Sequence, residues 1–270
     1  MSCQDLQPIE RMLATAVEAA REAGRILMDR LYQPLDIRSK GLRDLVTEAD
    51  LAAEEAILRI IQAGYADHVV LSEESEIETG ESDYLWIVDP LDGTTNYSRR
   101  FPFFSTSIAL THRAEVLVGV VYDPLRDWMF HARKGQGVYL DDRPLRVSQR
   151  DELGQSLIGL DWAREQEDRR QTARLVSVLA PKVVTLRATG SAAMALCMVG
   201  AGWLDGYFNL AVAPWDTAAA SLIIQEAGGT ITDIRGNPFH LGIGHCLASN
   251  GLIHQQLLQS VPETDSGERR

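Results

Sequence analysis

The chain has little cysteine: Cys3, Cys197 and Cys246 in 270 residues. Three scattered thiols, odd in number, argue against a disulfide framework or a zinc cluster and point to a reducing compartment, the cytoplasm. No apolar run approaches the ~20 residues of a membrane helix. The N-terminal MSCQDLQPIERM has no basic segment followed by an apolar stretch. Neither a membrane partner nor a secretory signal is therefore expected. A basic excess is also missing. Acidic residues outnumber basic ones by 38 to 26, for a formal charge of −12, so no nucleic-acid partner is expected. No 20–50-residue period repeats, which argues against a solenoid. The rest of the composition is that of a soluble globular protein, 45% hydrophobic and 24% charged, long enough for one large domain or two intimately packed subdomains. Its acidity would repel a phosphate-ester substrate unless bound cations inverted the local field.

Residues 8–33 show helical spacing of Ile9, Met12, Leu13, Ala16, Val17, Ala20, Ala23, Leu27 and Leu31. A loop through Lys40 and Gly41 leads to DLVTEAD, where Thr47 is placed to cap a helix over about 48–63. Strands are expected at 68–72 and 84–89, with an acidic stretch between them. Four short strands, 107–112, 116–123, 127–132 and 137–140, are separated by turn residues and read as an antiparallel meander. The second half alternates: helices near 164–180, 191–199, 216–227 and 251–259, strands near 183–186, 205–210, 230–233 and 246–249. The pattern is a layered α/β protein with mixed sheets covered by helices. We expect residues 1–150 to form an N-terminal α+β subdomain carrying most metal ligands, 151–262 a C-terminal α/β subdomain closing the active site, and 263–270 a polar tail.

The segment WIVDPLDGTTNYSRRFPF, 86–103, is densest in chemistry. A buried-looking strand ends at Asp89, where Pro90 forbids continuing the ladder. Asp92 follows across a rigid turn, so the two carboxylates can converge on one cation. The Leu91 carbonyl adds an oxygen of the kind that Mg²⁺ prefers. Gly93, Thr94 and Thr95 are suited to a helix start or tight turn with N–H groups facing an anion. Upstream, a glutamate of SEES (72–75) joins the same site if its strand is a neighbour. Glu74, Glu76, Glu78 and Glu81 read as a solvated acidic loop. Downstream, Asp216 of PWDTAAASLIIQEAGG reads equally as a helix N-cap or as a metal ligand.

Four blocks, DLVTEAD (44–50), SEES (72–75), WIVDPLDGTTN (86–96) and PWDTAAASLIIQEAGG (214–229), resemble the inositol monophosphatase-like, Mg²⁺-dependent, lithium-sensitive phosphatases. Gly190-Ser191-Ala192-Ala193 resembles a substrate-side block, and 118–148 the family's hairpin region. The resemblance runs over roughly residues 8–260. It implies a five-layer αβαβα sandwich, commonly dimeric, and two or three Mg²⁺ ions. Glu73, Asp89 and the Leu91 carbonyl match ligands of a first ion; Asp89, Asp92 and Asp216 those of a second; and Glu73 also that of a third, looser ion. Asp50 and Thr94 match the pair that orients and activates the attacking water. Gly93 and Thr94 match the phosphate-binding backbone, and Ser191 and Ala192 lie on the substrate side. Asp44 and Thr47 are expected to support or cap.

None of the six histidines (68, 112, 131, 240, 245 and 254) falls in the four blocks, and no cysteine is placed to act as a covalent nucleophile, so attack by water is the economical mechanism. One position departs from the family pattern. Where inositol-specific members carry a glutamate, seven residues before the aspartate of the Trp-Asp pair, this chain has Asn209. An amide binds hydroxyls more weakly than a carboxylate and does not repel a second anion. The implied activity is hydrolysis of a small polyol or sugar phosphate, with inositol 1-phosphate foremost and fructose 1,6-bisphosphate, histidinol phosphate and adenosine 3′,5′-bisphosphate as rivals. A non-catalytic regulatory protein is the reading from another class. Pro214 alters the loop before Trp215 in a way the sequence does not explain.

Overall fold

Side-chain alternation along the central strands decides which layer each residue enters. The computed structural model describes residues 3–34, 36–42, 44–75 and 82–261. Helix α1 (Cys3–Arg30) leads to a hairpin of β1 (Ile37–Gly41) and β2 (Asp44–Thr47), and then to α2 (Glu48–Gly64). A seven-stranded sheet follows: β3 (Val69–Ser72), β4 (Tyr84–Asp92), β5 (Ser105–His112), β6 (Glu115–Asp123), β7 (Trp128–Arg133), β8 (Val138–Leu140) and β9 (Arg143–Pro144), in that spatial order. β3 and β4 are parallel, and the remaining pairs form the expected antiparallel meander. The short helix α3 (Thr94–Ser98) lies between β4 and β5.

The second sheet has β10 (Leu157–Leu160), β11 (Thr185–Ala188), β12 (Gly206–Asn209), β13 (Thr230–Thr232) and β14 (Cys246–Ser249) in the order β11-β10-β12-β14-β13. Its first three members are parallel, while β14 runs antiparallel to β12 and β13. Helices α4 (Gln166–Leu179), α5 (Ala192–Gly200), α6 (Pro214–Glu226) and α7 (His254–Leu258) complete the chain.

Three apolar interiors stack these elements into five layers. Trp86, Val88, Ile108, Leu110, Val118 and Val120 pack against the buried stripes of α1 and α2. Their alternates Ile87, Ala109 and Val121 face α5 and α6, which also contact the second sheet. Leu175 and Leu179 of α4 and Leu257 of α7 cover the outer face of that sheet through Phe208 and Leu247. The order is α1/α2, seven-stranded sheet, α5/α6, five-stranded sheet, α4/α7: an αβαβα sandwich. Gly119 permits the closest approach at its centre, because a Cβ there would lie 2.4 Å from the Ala219 carbonyl oxygen of α6.

Several elements differ from the sequence reading. The loop expected before Thr47 is the β1–β2 hairpin, and β10, a four-residue strand containing Gly159, was not expected at all. The last helix covers Pro-free 254–258 rather than 251–259. Strand β4 does not stop at Asp89: it runs to Asp92, absorbing Pro90 in a register shift against β5 between Asp89 and Asp92. Its other neighbour, β3, pairs no further than Val88, so the missing proline N–H falls where one edge has no β3 partner, as strand prolines do. Glu76, Glu78, Glu81 and the tail from residue 262 lie outside the described residues, as do the side chains of Cys3 and Asp44.

Candidate active site

The alternation that sends Trp86 and Val88 toward α1 and α2 turns Ile87 and Asp89 toward α6. The register shift after Asp89 then brings Asp92 to the same region. Its geometry is held by the Leu91 N–H, which donates to Asp89 Oδ1 at 3.0 Å. From the far side, α6 delivers Asp216 in its first turn. Ligand oxygens of Asp89, Asp92 and Asp216 all lie within 4.8 Å of one another. Asp89 and Asp92 are buried, and Asp216 is half-buried.

The Asp216 carboxylate meets both the start of α6 and the Asp89–Asp92 pair. Asp216 is the third helical residue, not the N-cap, and its Oδ2 accepts from the Ala213 N–H at 2.7 Å. Pro214 occupies the first helical position, where a missing N–H costs nothing and a fixed φ favours helix. This accounts for the proline beside Trp215.

Asp92 is gripped from α5. Ser191 Oγ donates to it at 2.5 Å, the Ala193 N–H at 2.9 Å, the Ala192 N–H at 3.1 Å and Ser105 Oγ at 3.3 Å. Ser191, expected on the substrate side, is buried and spends its hydroxyl on Asp92. Ala192 lines the cleft but also directs its N–H to that carboxylate. Burial nevertheless pushes Asp92 up to about 6, with the Asp161 charge adding and the Ser191, Ala193 and Ala192 donors opposing. Asp89 is driven well above the usual carboxylate range by burial and by the charges of Glu73, Asp92 and Asp216. Asp216 is raised likewise by burial, Asp92 and Glu73, against the Ala213 N–H and Arg164. Buried carboxylates this close cannot all ionise without a compensating cation. Oxygen-only donors of this charge suit a hard divalent ion such as Mg²⁺.

Beside this cluster, α2 presents Asp50. Thr47 caps α2 by accepting from the Ala49 N–H, and both its N–H and hydroxyl hold Asp50 Oδ2, at 3.0 and 2.5 Å. That leaves Oδ1 facing Thr94, whose hydroxyl is 3.1 Å from it and 3.1 Å from the Leu91 carbonyl oxygen. A hydroxyl has one proton, so it donates fully to only one of them. Burial raises Asp50 to about 6; the Glu74 charge adds to this, and the Thr47 and Thr94 hydrogen bonds oppose it. Glu74, read from sequence as part of a solvated loop, is instead half-buried and acts on Asp50.

Gly93 turns the chain into α3 at φ +100°, a conformation that disfavours a side chain, and a Cβ would meet the Gly190 carbonyl oxygen at 3.0 Å. Asn96 ties this turn to the second half of the molecule, donating to the carbonyls of Phe103 (2.7 Å) and Thr189 (2.9 Å). Asn209 sits at the end of β12 on the cleft wall. Its Nδ2 donates to the Tyr207 hydroxyl at 3.2 Å, and its Oδ1 accepts from the Ala211 N–H at 3.0 Å. Tyr207 in turn donates to Asp161 at 2.9 Å.

Glu73, Asp89, Leu91, Asp92, Gly93, Thr94, Ala192, Asn209 and Asp216 line one cleft of about 1000 Å³, with Asp50 reaching it through Thr94. Among the described residues no histidine lines it. Cys197 and Cys246 are buried, and burial raises both thiols, Cys246 to about 12. Sequence reasoning missed Asp161, Trp162, Arg164 and Arg169, which also line the cleft. They follow β10, whose four residues carried no recognisable strand signal.

The sequence profile of the inositol monophosphatase family matches residues 9–266. The chain belongs to the inositol monophosphatase family. It is 38% identical to the Nus factor SuhB of Pasteurella multocida, over 95% of this chain and 98% of that protein. It is 36% identical to inositol monophosphatase 3 of Solanum lycopersicum, over 94% of this chain and 98% of that one. The crystal structure of the extragenic suppressor protein suhB from Bartonella henselae superposes with a TM-score of 0.91 at 33% identity, covering 94% of this chain and 99% of that chain. The family acts on phosphate esters and depends on metal, and the acidic cluster fits a metal ion. Among the described residues no helix is long and apolar enough to cross a membrane.

Proposed function

We propose that the protein is a Mg²⁺-dependent phosphomonoesterase acting on a small polyol or sugar phosphate, with inositol 1-phosphate as the reference substrate. The observation that carries this reading is the convergence of Asp89, Asp92 and Asp216 beside the Asp50–Thr94 pair in a single cleft. Asp89, Asp92, Asp216, Glu73 and the Leu91 carbonyl would hold two or three Mg²⁺ ions. When bound, these ions supply charge neutralisation at the phosphoryl oxygens and lower the pKa of water.

The chain's own groups complete the chemistry. Thr94 Oγ1 orients the attacking water while donating its proton to Asp50 Oδ1. Asp50, held by Thr47, is the group toward which the water's proton moves. The backbone N–H groups of Gly93 and Thr94 meet the phosphoryl oxygens, and Asn209 meets the leaving part of the ester. The reading extends to a lithium-sensitive homodimer in the cytoplasm, supported by the family and by the scarcity of cysteine. Measuring kcat/KM for a panel of phosphate esters, with Mg²⁺ and with EDTA, tests it.

A second reading, a regulatory protein that uses its surface, is favoured by the Nus factor name of relatives at 36–38% identity. The intact carboxylate set argues against loss of catalysis. Hydrolysis of p-nitrophenyl phosphate with and without Mg²⁺ separates the two readings: no turnover under either condition leaves the regulatory one.

A further inference from the structure

The cleft has a wall that the phosphatase chemistry leaves unused. Segment 161–169 leaves β10 and enters α4, and the basic side chains lining the cleft among the described residues, Arg164 and Arg169, both come from it. In a chain of charge −12, two arginines on the wall of an acidic site call for a reason.

The two are held differently. Arg169 is half-buried. Its Nη1 donates to the Ala163 carbonyl at 3.0 Å, and its guanidinium lies over the Trp162 ring, 5.2 Å from the centroid. Among the described residues one of its five donors has a protein partner, and the Ala163 carbonyl and the Trp162 ring orient the guanidinium. Arg164 reaches toward the reacting centre. Its Nη2 is 3.5 Å from Glu73 Oε1, and its charge is felt at Asp216. Exposed Glu165 of the same segment also lines the cleft, as does Asp161. The Asp161 carboxylate is buried and engaged by the Thr189 and Gly190 N–H groups, the Thr189 hydroxyl and the Tyr207 hydroxyl. Asn209 contributes a neutral amide to the same cleft. The cleft volume of about 1000 Å³ stands at the upper end for small-ligand sites.

We propose that segment 161–169 is a specificity subsite for a second anionic group on the leaving part of the ester, with Arg169 as its fixed anchor and Arg164 as an arm toward the Glu73 edge of the reacting centre. This rests on the phosphatase reading and narrows its substrate class to doubly anionic esters. Planar fork donors suit phosphate or carboxylate, and each such contact is charge-assisted.

The test compares kcat/KM with Mg²⁺ for fructose 1,6-bisphosphate and fructose 1-phosphate, which differ only in the distal phosphate. Wild type should favour the bisphosphate. Arg169→Gln should reduce that preference about ten- to hundred-fold, mainly through KM, which is the scale of a lost charge-assisted contact. Arg169→Lys should recover part of it, keeping the charge without the fork. Arg164→Gln should lower the preference too. A preference unchanged in an Arg169→Gln protein that melts like wild type would overturn the subsite. So would a pattern in which Trp162→Ala, and not Arg169→Gln, impairs hydrolysis of adenosine 2′-phosphate, which would assign the wall to a planar leaving group. Turnover of p-nitrophenyl phosphate with no preference for the bisphosphate removes the subsite and leaves the phosphatase reading standing. Absence of turnover on every ester removes both.

Discussion

Replacing Asp89 by asparagine should stabilise the metal-free protein and abolish its stabilisation by Mg²⁺. Asp89 shares a space of 4.8 Å with oxygens of Asp92 and Asp216. Two unit charges at that separation repel by about 3.5 kcal/mol at an effective dielectric near 20. The metal-free fold sheds much of this by retaining protons, which is why Asp89 and Asp216 sit well above the ordinary range. Removing one charge therefore recovers a fraction, on the order of 1–3 kcal/mol. The asparagine oxygen can still accept from the Leu91 N–H, so the turn is kept. For a chain of 270 residues, unfolding entropy near 2 cal/mol/K per residue makes each kcal/mol worth about 2 °C. The variant should then melt about 2–6 °C above wild type in EDTA. Wild type at a Mg²⁺ concentration one hundred times its Kd should gain about 2.7 kcal/mol, or about 5 °C. The variant should gain little and lose nearly all turnover. The two melting curves should cross in order as Mg²⁺ is added, as read by circular dichroism or differential scanning fluorimetry. A variant that melts below wild type in EDTA, or that keeps the full Mg²⁺ shift, would refute the placement of Asp89 at a shared cation site.

Thr94→Ala should lower kcat at least tenfold with the Mg²⁺ dependence of activity unchanged; a shift in the Mg²⁺ requirement instead would show that Thr94 supports the metal through Leu91. Metal-free stability should rise on acidification from pH 7.5 to 5. Asp50 and Asp92 have folded values of about 6 against an ordinary 3.8. The folded state therefore binds more protons in that window, and the stability is lost again as pH rises through 6. A melting temperature in EDTA that falls between pH 7.5 and 5.5 would contradict this. Asn209→Glu should raise kcat/KM for inositol 1-phosphate up to about tenfold, equivalent to ~1.4 kcal/mol, and lower it for fructose 1,6-bisphosphate. The change also removes the donor to Tyr207, so the ratio of the two values, not either alone, is the measure. Millimolar Li⁺ should inhibit uncompetitively with respect to substrate; full activity at 50 mM LiCl, roughly ten times that range, would count against family-type metal turnover.

Local chemistry makes much of the candidate site legible in the sequence. Thr47 and Asp50 are three residues apart because a capping box needs that spacing, and the cap is a property of one turn. Asp89, Leu91, Asp92, Gly93 and Thr94 lie in six consecutive residues, so a strand end followed by a turn already places them near one another. Hydrophobic periodicity likewise marked α1, the Thr47 cap marked α2, and turn residues between short strands marked the meander. Packing decided what local rules left open. Whether Asp216 capped a helix or joined Asp89 depended on α6 lying against the face of the first sheet that bears Ile87 and Asp89. Pro90 looked like a strand end because a proline costs a ladder bond, and only the end of β3 at Ser72, opposite Val88, showed that no such bond was due on that side. Ser191 looked like a substrate contact until α5 brought it 2.5 Å from Asp92. Asp161, Arg164 and Arg169 had no motif of their own. Their meeting with Glu73 and Asn209 is made by parallel pairing of β10 with β11 and β12, a long-range contact whose register follows from the burial of β10 and β12 and not from any spacing within the chain.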